Sequence, residues 1–334
     1  MRRLCVLTSV LVGCPADPAA TTDDATGATS GAGGSGASGA ATVDASTSAG
    51  STSGSDTGAT DEPTDSASAV TGEASATGGS STGEPAGGGC GKEPGQRGSA
   101  QQTVEVAGTE RTYILSLPAD YDPDTAYPLV FAWHGRGGDG SLAKLYFKVE
   151  EASQGQAIFV YPYGLPLADM QDQTGWDLDP NNEDFEFFDR MFADLSERLC
   201  VDPSRVFSTG HSFGGYMSNQ VGCFRGDVVR AIGLVAGGGP YVPPCTGQVA
   251  AWLAHGTVDM VVPYSEGTDS RDYWSSANHC AGPGEAVDPA PCVAYAGCDA
   301  GYPVVWCSHD EPDFMGHGWP NWAGAAIWGF FAEF

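Results

Sequence analysis

A serine between two glycines is the feature of this sequence with the clearest chemical meaning. Residues 210–214 read Gly-His-Ser-Phe-Gly and directly follow an apolar run at residues 205–209. When such a motif joins a strand to a helix, the chain turns so sharply that the serine hydroxyl stands exposed at the crest. Residues 216–221 can form that helix, so the sequence predicts that Ser212 is a nucleophile.

A nucleophilic serine needs an acid and a base, because its hydroxyl attacks only when a base takes the proton and a carboxylate orients that base. After an elbow of this kind, the partners follow in the order Ser, Asp or Glu, His. Asp259 ends the segment His-Gly-Thr-Val-Asp at residues 255–259, after a predicted strand that ends at Leu253. Asp259 is therefore the candidate acid; an aspartate that only caps a turn is the alternative.

Three of the six histidines follow the candidate acid, as the order requires: His279, His309 and His317. His317 lies between two glycines just before the last predicted helix, in a loop that can bring its imidazole back over a sheet. We expect His317 to be the base. His309 comes directly after a predicted strand at residues 304–306 and is its competitor, whereas His279 is expected to be structural.

A pair of backbone amides should stabilise the oxyanion of the tetrahedral intermediate. One is expected from Phe213, which follows the nucleophile. The other is expected from the His-Gly-Arg-Gly-Gly loop that begins at His134, a loop of the type found in lipases and esterases. Arg136 is the first candidate there and Gly135 the second, and His134 itself is expected to be buried and to orient the loop.

The elements that must position these residues alternate between strands and helices. Strands are predicted at 104–106 and 113–117 as a hairpin, and at 129–133, 157–161, 205–209, 232–235, 249–253 and 304–306. Helices are predicted at 141–152, 184–199, 216–221 and 269–278 and from residue 321. Such alternation predicts an α/β fold, a mostly parallel sheet with helices on both faces, in three layers. Ligands bind at the carboxyl ends of the strands in such sheets, where every candidate residue lies.

The first 14 residues are typical of a lipoprotein-type signal peptide. Two arginines precede an apolar run of nine residues, which is too short to span a bilayer. Residues 11–14 read Leu-Val-Gly-Cys and resemble a lipobox, so Cys14 is the expected site of lipidation and would anchor the protein at the outer face of a bacterial membrane. An ordinary signal peptide is the alternative.

Residues 15–89 are predicted to be a disordered linker. They consist almost entirely of Ala, Gly, Ser, Thr, Asp and Glu and contain no aromatic residue, Leu, Ile, Lys or Arg. Such a segment cannot bury enough apolar surface to offset the conformational entropy of folding. As a flexible coil it would span roughly 50 Å between its ends, which suits a domain held away from a cell surface.

Residues 90–334 form the predicted catalytic domain, of a length that suits one α/β domain. They contain 32 acidic residues against 12 Lys and Arg, a net formal charge of −20. A surface of this charge repels phosphate backbones and anionic membranes. No nucleic-acid partner is therefore expected, and contact with a membrane is expected only through the lipid. The protein is expected to be a monomer.

Eight cysteines lie in the predicted domain, at positions 90, 200, 223, 245, 280, 292, 298 and 307. Behind a secretory signal, an even number of cysteines predicts disulfides in an oxidising compartment. A metal site is the alternative, but no Cys-x-x-Cys spacing occurs, so neither a metal nor a cofactor is expected. The sequence leaves the pairing open, although Cys280, Cys292, Cys298 and Cys307 are expected to pair largely among themselves.

With these residues in place, the chain resembles carbohydrate esterase family 1, which has the α/β-hydrolase fold and contains secreted feruloyl esterases and polyhydroxybutyrate-depolymerase-like esterases. The matching segments are residues 127–135, 199–207, 210–214, 255–259, 298–306 and 316–320. The resemblance implies Ser212, Asp259 and His317 as the triad. The stretch between Trp306 and His317 is longer than in relatives whose histidine follows the strand closely, which keeps His309 as an alternative.

The same resemblance implies a substrate: esters of ferulic and related hydroxycinnamic acids in xylan. Trp176, His134 and His211 are the candidate substrate-binding residues, with Trp176 expected at the mouth of the site, where it could stack on an aromatic acyl group. A core position is the alternative for Trp176. Depolymerisation of a short-chain polyester is the second candidate activity. A non-catalytic binding module on a hydrolase scaffold is the third, although it would be expected to have lost a triad member.

Overall fold

The structure is a computed structural model that describes residues 88–241 and 244–334. The signal segment, Cys14 and nearly all of the predicted linker lie outside the described residues. None of the helices in these two ranges is long and apolar enough to cross a membrane.

Twelve strands and six α-helices are found within the described residues. The strands are β1 (Ser99–Val106), β2 (Thr109–Ser116), β3 (Tyr127–Trp133), β4 (Ile158–Pro162), β5 (Leu165–Leu167), β6 (Gln173–Gly175), β7 (Val201–His211), β8 (Ala231–Val235), β9 (Ala250–Gly256), β10 (Gly282–Ala286), β11 (Cys292–Ala296) and β12 (Val304–His309). The helices are α1 (Gly140–Tyr146), α2 (Val149–Ser153), α3 (Glu183–Arg198), α4 (Phe213–Phe224), α5 (Tyr264–Ala277) and α6 (Ala323–Phe331).

Ten of the strands form one sheet, in the order β1-β2-β4-β3-β7-β8-β9-β12-β11-β10. The six central strands, from β4 to β12, are parallel, and an antiparallel hairpin closes each side of the sheet. The carboxyl ends of β3, β7, β9 and β12 therefore meet at one edge. That edge brings together the residues that follow each of these strands, although they lie far apart in the sequence.

Side chains of the central strands alternate between two buried layers. In β3, Leu129, Phe131 and Trp133 pack with α3, α4 and α5, whereas Val130 and Ala132 pack with α1, α2 and α6. A strand that is buried on both faces reads as a continuous apolar run, which is why these strands could be predicted from the sequence. The predicted three-layer α/β architecture is confirmed.

The sequence prediction was wrong in three places. The helix predicted at 141–152 is two short helices, because Lys148 adopts a left-handed conformation with φ of 58° between α1 and α2. Helix α6 packs closely there, since a Cβ on Gly324 would lie 2.2 Å from the carbonyl oxygen of Phe147. Strands β10 and β11 were not predicted, nor was the small β5–β6 hairpin, because their sequences show no apolar alternation.

The eight cysteines of the domain form four disulfides: Cys90–Cys200, Cys223–Cys245, Cys280–Cys298 and Cys292–Cys307. The last two join the C-terminal cluster of cysteines within itself, as the sequence predicted. The Cys292–Cys307 bond links β11 to β12, where these two residues are also direct partners in the sheet. Disulfides thus fix the antiparallel edge whose own sequence is a poor strand former.

Removal of a disulfide should cost more stability the longer the chain segment that it closes. The Cys90–Cys200 bond has a sequence separation of 110 residues and the Cys280–Cys298 bond one of 18. Replacing Cys90 and Cys200 by Ala is therefore expected to lower the free energy of unfolding by about 1.5 kcal/mol more than the same change at Cys280 and Cys298. Urea unfolding of both double variants measures this difference, and equal losses would contradict it.

Candidate active site

Ser212 occupies the tight turn between β7 and α4. Its backbone has φ of 56° and ψ of −122°, a conformation that is strained for a residue other than glycine. A Cβ on Gly210 would lie 2.0 Å from the carbonyl oxygen of Gly214, and one on Gly214 would lie 1.9 Å from that of Trp133. Both glycines of the motif are therefore required by close backbone packing, and the predicted elbow is confirmed.

A line of hydrogen bonds joins Ser212, His317 and Asp259. Nε2 of His317 lies 2.8 Å from Oγ of Ser212, and Nδ1 lies 2.6 Å from Oδ2 of Asp259. A carboxylate only accepts hydrogen bonds, so Nδ1 carries a proton and donates a hydrogen bond to Asp259. Nε2 is then the acceptor for the serine hydroxyl, which is the arrangement a general base requires.

The carboxylate of Asp259 is buried but fully hydrogen-bonded. Its Oδ1 accepts from the amides of Val261 and Val262, both at 2.8 Å, and its Oδ2 lies 3.3 Å from Nε2 of His255. Burial alone would raise the pKa of this carboxyl. Hydrogen bonds from His255, His317 and the Val262 amide outweigh burial and hold the pKa well below its ordinary value. Asp259 therefore stays charged beside the imidazole.

The two other histidines that follow Asp259 lie away from the nucleophile. His309 is the last residue of β12, its ring packs edge-on against Trp322, and neither ring nitrogen has a hydrogen-bond partner among the described residues. His279 pairs with Asp299 at the surface. Of the two candidates for the base, the structure thus brings His317 to Ser212 and not His309.

His211 lies behind the base rather than in an open binding site, so its expected role in substrate binding is wrong. Its side chain is buried, with Nε2 at 2.8 Å from the carbonyl oxygen of His317 and Nδ1 at 2.9 Å from the hydroxyl of Tyr146. Because a carbonyl only accepts, Nε2 donates to it and Nδ1 accepts from Tyr146. Burial, aided by the proximity of His317, lowers the pKa of His211 to about 3. The neutral ring of His211 thus links the backbone of His317 to Tyr146 of α1.

His134 is fully buried and holds the loop after β3. Its Nδ1 donates to the carbonyl oxygen of Gly135 at 2.7 Å, and its Nε2 accepts from the amide of Gly164 at 2.9 Å. Burial lowers the pKa of this imidazole, which keeps it neutral. The expected orienting role of His134 agrees with this geometry, whereas the expectation that His134 contacts the substrate is wrong, because its buried ring nitrogens are both bonded to backbone.

The loop that His134 orients lies against the nucleophile. A Cβ on Gly135 would be 3.4 Å from Cβ of Ser212. The amides of Gly137 and Gly138 are occupied by the carbonyl oxygens of Thr174 and Gly135. In contrast, the amides of Gly135, Arg136 and Phe213 have no hydrogen-bond partner in the described ranges. The amides predicted to stabilise an oxyanion are therefore the ones left free.

Trp176 belongs to the core, so the expectation that it lies exposed at the mouth of the site is wrong. Only 1% of its surface is exposed, its ring packs edge-on against Trp133, and its Nε1 donates to the carbonyl oxygen of His134 at 2.8 Å. The β5–β6 hairpin folds the preceding loop back over the sheet and carries this indole inward. Trp176 thus holds the start of the loop after β3 through the carbonyl oxygen of His134.

Aromatic residues that the sequence reading missed lie beside the nucleophile instead. Tyr216 follows Ser212 by one helical turn, and its ring lies 6.5 Å from that of Phe213 and is stacked on Tyr241 at 5.6 Å. Tyr241 is 38% exposed, and its hydroxyl donates to Glu266 at 2.7 Å. The position of Tyr216 one turn after the serine was a usable signal, but Tyr241 comes from a loop that only the fold brings near.

Comparison with known proteins identifies the family. No protein-family model matches the chain. It is 34% identical over 239 residues to feruloyl esterase D of Neurospora crassa, a match that covers 66% of this chain and 80% of the relative. The chain belongs to the feruloyl esterase family. It is also 31% identical over 264 residues to feruloyl esterase C of Emericella nidulans, covering 73% and 90% of the two chains.

A comparison with solved structures concerns the fold. The acetyl xylan esterase from Aspergillus awamori matches with a TM-score of 0.53 at 13% sequence identity and covers 70% of this chain and 99% of that one. At this identity the likeness concerns the fold alone, which is that of the α/β-hydrolases. This member of the feruloyl esterase family is thus a carboxylic ester hydrolase on an α/β-hydrolase scaffold.

The buried histidines should make the protein less stable in mild acid. Burial lowers the pKa of His134, His211 and His309. As the pH falls below 6.5, the unfolded chain takes up protons at these residues more readily than the folded protein, so the free energy of unfolding should fall with pH. His211, whose pKa in the folded protein is about 3, contributes up to about 1.4 kcal/mol per pH unit between pH 6.5 and 4.5. Urea unfolding across this range measures the slope.

The variant His211→Asn should reduce this slope, because it removes one of the three groups. Leu145→Ser is the matched control, since Leu145 is 68% exposed and does not titrate, and its slope should equal that of the wild type. A wild-type slope in His211→Asn would show that His211 does not titrate as its burial requires.

Proposed function

We propose that Ser212, His317 and Asp259 are the catalytic triad of a serine esterase that works through an acyl-enzyme. The observation that carries this proposal is the unbroken hydrogen-bonded line from Asp259 through His317 to Oγ of Ser212, at 2.6 and 2.8 Å. The other supporting observation is the presence of free amides next to that oxygen.

The first half of the reaction forms the acyl-enzyme. Oγ of Ser212 attacks the ester carbonyl carbon while Nε2 of His317 takes the hydroxyl proton. The carbonyl oxygen becomes an oxyanion, which accepts hydrogen bonds from the Phe213 amide and from the amide of Arg136 or Gly135. When the tetrahedral intermediate collapses, the bond to the alcohol oxygen breaks and His317 gives that oxygen its proton.

The second half reverses these roles with water. His317 takes a proton from a water molecule, which attacks the acyl carbon, and the proton then returns to Oγ of Ser212 as the acid leaves. Asp259 accepts the hydrogen bond from Nδ1–H of His317 throughout and stabilises the imidazolium that forms twice in each cycle. The depressed pKa of Asp259 keeps it charged for this task.

Replacement of either the nucleophile or the base should abolish turnover. Ser212→Ala and His317→Ala are each expected to lower kcat on 4-nitrophenyl acetate by about 10⁴-fold, since triad members act as a unit. This activated acetate tests the triad without relying on recognition of a particular acid. Ser212→Ala should also lose covalent labelling by a fluorophosphonate.

His309→Gln is the matched control for the base. It is expected to retain the wild-type order of magnitude of kcat, with the folded fraction checked by circular dichroism. Strong loss of activity in His309→Gln together with full activity in His317→Ala would show that His309, and not His317, is the base.

The proposed substrates are hydroxycinnamoyl esters of the plant cell wall, such as ferulate esterified to xylan. Two of the relatives are named feruloyl esterases. In this chain, the rings of Phe213, Tyr216 and Tyr241 form a partly exposed aromatic surface next to the nucleophile. A planar phenolic acyl group can stack on such a surface. Polyester hydrolysis is the second candidate, and a non-catalytic binding module is disfavoured because the triad residues are all present.

A substrate panel tests the acyl group. The protein is expected to hydrolyse methyl ferulate with a kcat/KM at least about fivefold above that for hydroxybutyrate oligomers, because only the aromatic acid gains stacking contacts, worth about 1 kcal/mol or more. Tyr241→Ala should lower kcat/KM for methyl ferulate and leave that for methyl butyrate nearly as it is. A higher kcat/KM for hydroxybutyrate oligomers than for methyl ferulate would favour polyester hydrolysis as the activity.

We also propose that the domain works outside the cell, as a monomer. Its four disulfides are typical of proteins that fold in an oxidising compartment. A lipid on Cys14 and a long linker would hold it at the outer face of a bacterial membrane. This part of the proposal rests on the sequence alone, since Cys14 lies outside the described residues.

A further inference from the structure

Glu266 is a carboxylate beside the aromatic surface that no step of the proposed reaction uses. It lies in the first turn of α5 and is half-buried. Its Oε2 accepts a hydrogen bond from the hydroxyl of Tyr241 at 2.7 Å. A Cβ on Gly238 would lie 2.4 Å from this same oxygen and 2.7 Å from Cε1 of Tyr216. The carboxylate therefore lies side by side with the two stacked tyrosine rings.

The loop after β8 extends from the nucleophile to this carboxylate. Its start is at the elbow, since the amide of Ser212 donates to the carbonyl oxygen of Val235 at 3.0 Å. Its residue 241 lies two turns further along α4, where the amide of Tyr241 donates to Oε1 of Gln220 at 3.1 Å. Because Glu266 packs on the middle of this loop, its carboxylate is about one to two helical turns from the nucleophile along α4.

Buried hydrogen bonds hold this loop and α5 against α4. Nδ2 of Asn219 donates to the carbonyl oxygen of Gly238 at 2.9 Å and to Oγ of Ser270 at 2.7 Å. Its Oδ1 accepts from Nε1 of Trp274 at 2.7 Å. Ser270 lies one turn after Glu266 on α5, so this network fixes the helix that carries the carboxylate. An acceptor held in this way costs little further ordering when a ligand binds.

The base and the carboxylate lie on different faces of the sheet. The loop of the base packs on the face that carries α1, where Trp319 is stacked on Phe147 at 4.2 Å. Phe213 packs in the opposite layer, with α4 and α5. The leaving oxygen must come to Nε2 of His317 to receive its proton, so the alcohol extends on the side of the base. The side of α4 is then left for the acyl group.

A hydroxycinnamoyl group carries a hydroxyl at the end of its ring that is farthest from the ester. A vinyl group and a benzene ring separate this hydroxyl from the carbonyl carbon, which is a length between one and two helical turns. With the carbonyl carbon at Ser212, the hydroxyl therefore reaches the level of Glu266. A carboxylate accepts about four hydrogen bonds, and Tyr241 supplies one of them.

We infer that Glu266 accepts a hydrogen bond from the phenolic hydroxyl of the acyl group and makes the site selective for hydroxycinnamoyl esters whose 4-hydroxyl is free. A carboxylate cannot donate, so an acid without this hydroxyl leaves the acceptor without its partner. The inference rests on the proposed function, since it requires an aromatic acyl group on the rings of Phe213 and Tyr216. It adds the residue that recognises the far end of that group.

Two methyl esters that differ only in this hydroxyl test the inference. Methyl ferulate and methyl 3-methoxycinnamate share all other atoms, so the ratio of their kcat/KM values, ferulate over methoxycinnamate, reports on the 4-hydroxyl alone. A hydrogen bond to a carboxylate should raise this ratio to about tenfold in the full chain. Glu266→Met should bring the ratio to about one by lowering kcat/KM for methyl ferulate, with kcat/KM for the methoxycinnamate unchanged.

Asp269→Asn is the matched control. Asp269 is an exposed carboxylate on the same helix, so this variant removes one negative charge from α5 and should keep the wild-type ratio. Tyr241→Phe keeps the ring and removes the hydroxyl that occupies one acceptor position of Glu266, so its ratio should equal or exceed that of the wild type.

Four results would overturn the inference. A wild-type ratio of one would do so and leave the proposed esterase intact. A ratio that Tyr241→Phe abolishes and Glu266→Met preserves would make Tyr241 the partner of the phenol. An equal loss of kcat/KM for both esters in Glu266→Met would show that this residue only supports the fold of the site. Hydrolysis of 4-nitrophenyl acetate but of neither aromatic ester would refute the proposed acyl group together with the inference.

Discussion

The close packing of backbone around Ser212 is the constraint on which the site depends. The serine takes a positive φ, and this conformation persists only because β7, α4 and the end of β3 meet without side chains between them. The same contact that forces glycine at positions 210 and 214 brings the loop after β3 to the nucleophile. One steric requirement therefore sets both the exposed hydroxyl and the amides beside it.

A second requirement is that buried polar groups find partners. His134, His211 and Asp259 are all buried, and each is hydrogen-bonded on both sides to backbone or to another side chain. An unpaired polar group at such a position would cost about 1–3 kcal/mol. The residues that surround the triad therefore act chiefly by holding loops in place. This is why His134 and His211, which were candidates for substrate contact, are bonded to loop backbone instead.

Prediction from sequence worked where the pattern is local and failed where a distant contact decides. The buried strands and the long helix α3 carry enough apolar periodicity to be recognised. The pattern at 141–152 is equally helical, yet α6 packs against its middle and the chain breaks at Lys148. Nothing in the sequence around Trp176 distinguishes a buried indole from an exposed one. Its burial depends on the β5–β6 hairpin, which it directly follows.

The sequence by itself determined the elbow, the order of acid and base, the α/β alternation and the cysteine content, because each is a matter of residue type and spacing along the chain. It left His317 and His309 both open as the base, since each follows the acid near the end of the same strand. Only the tertiary structure decided between them, because it places one imidazole over Oγ of Ser212 and leaves the other packed on Trp322.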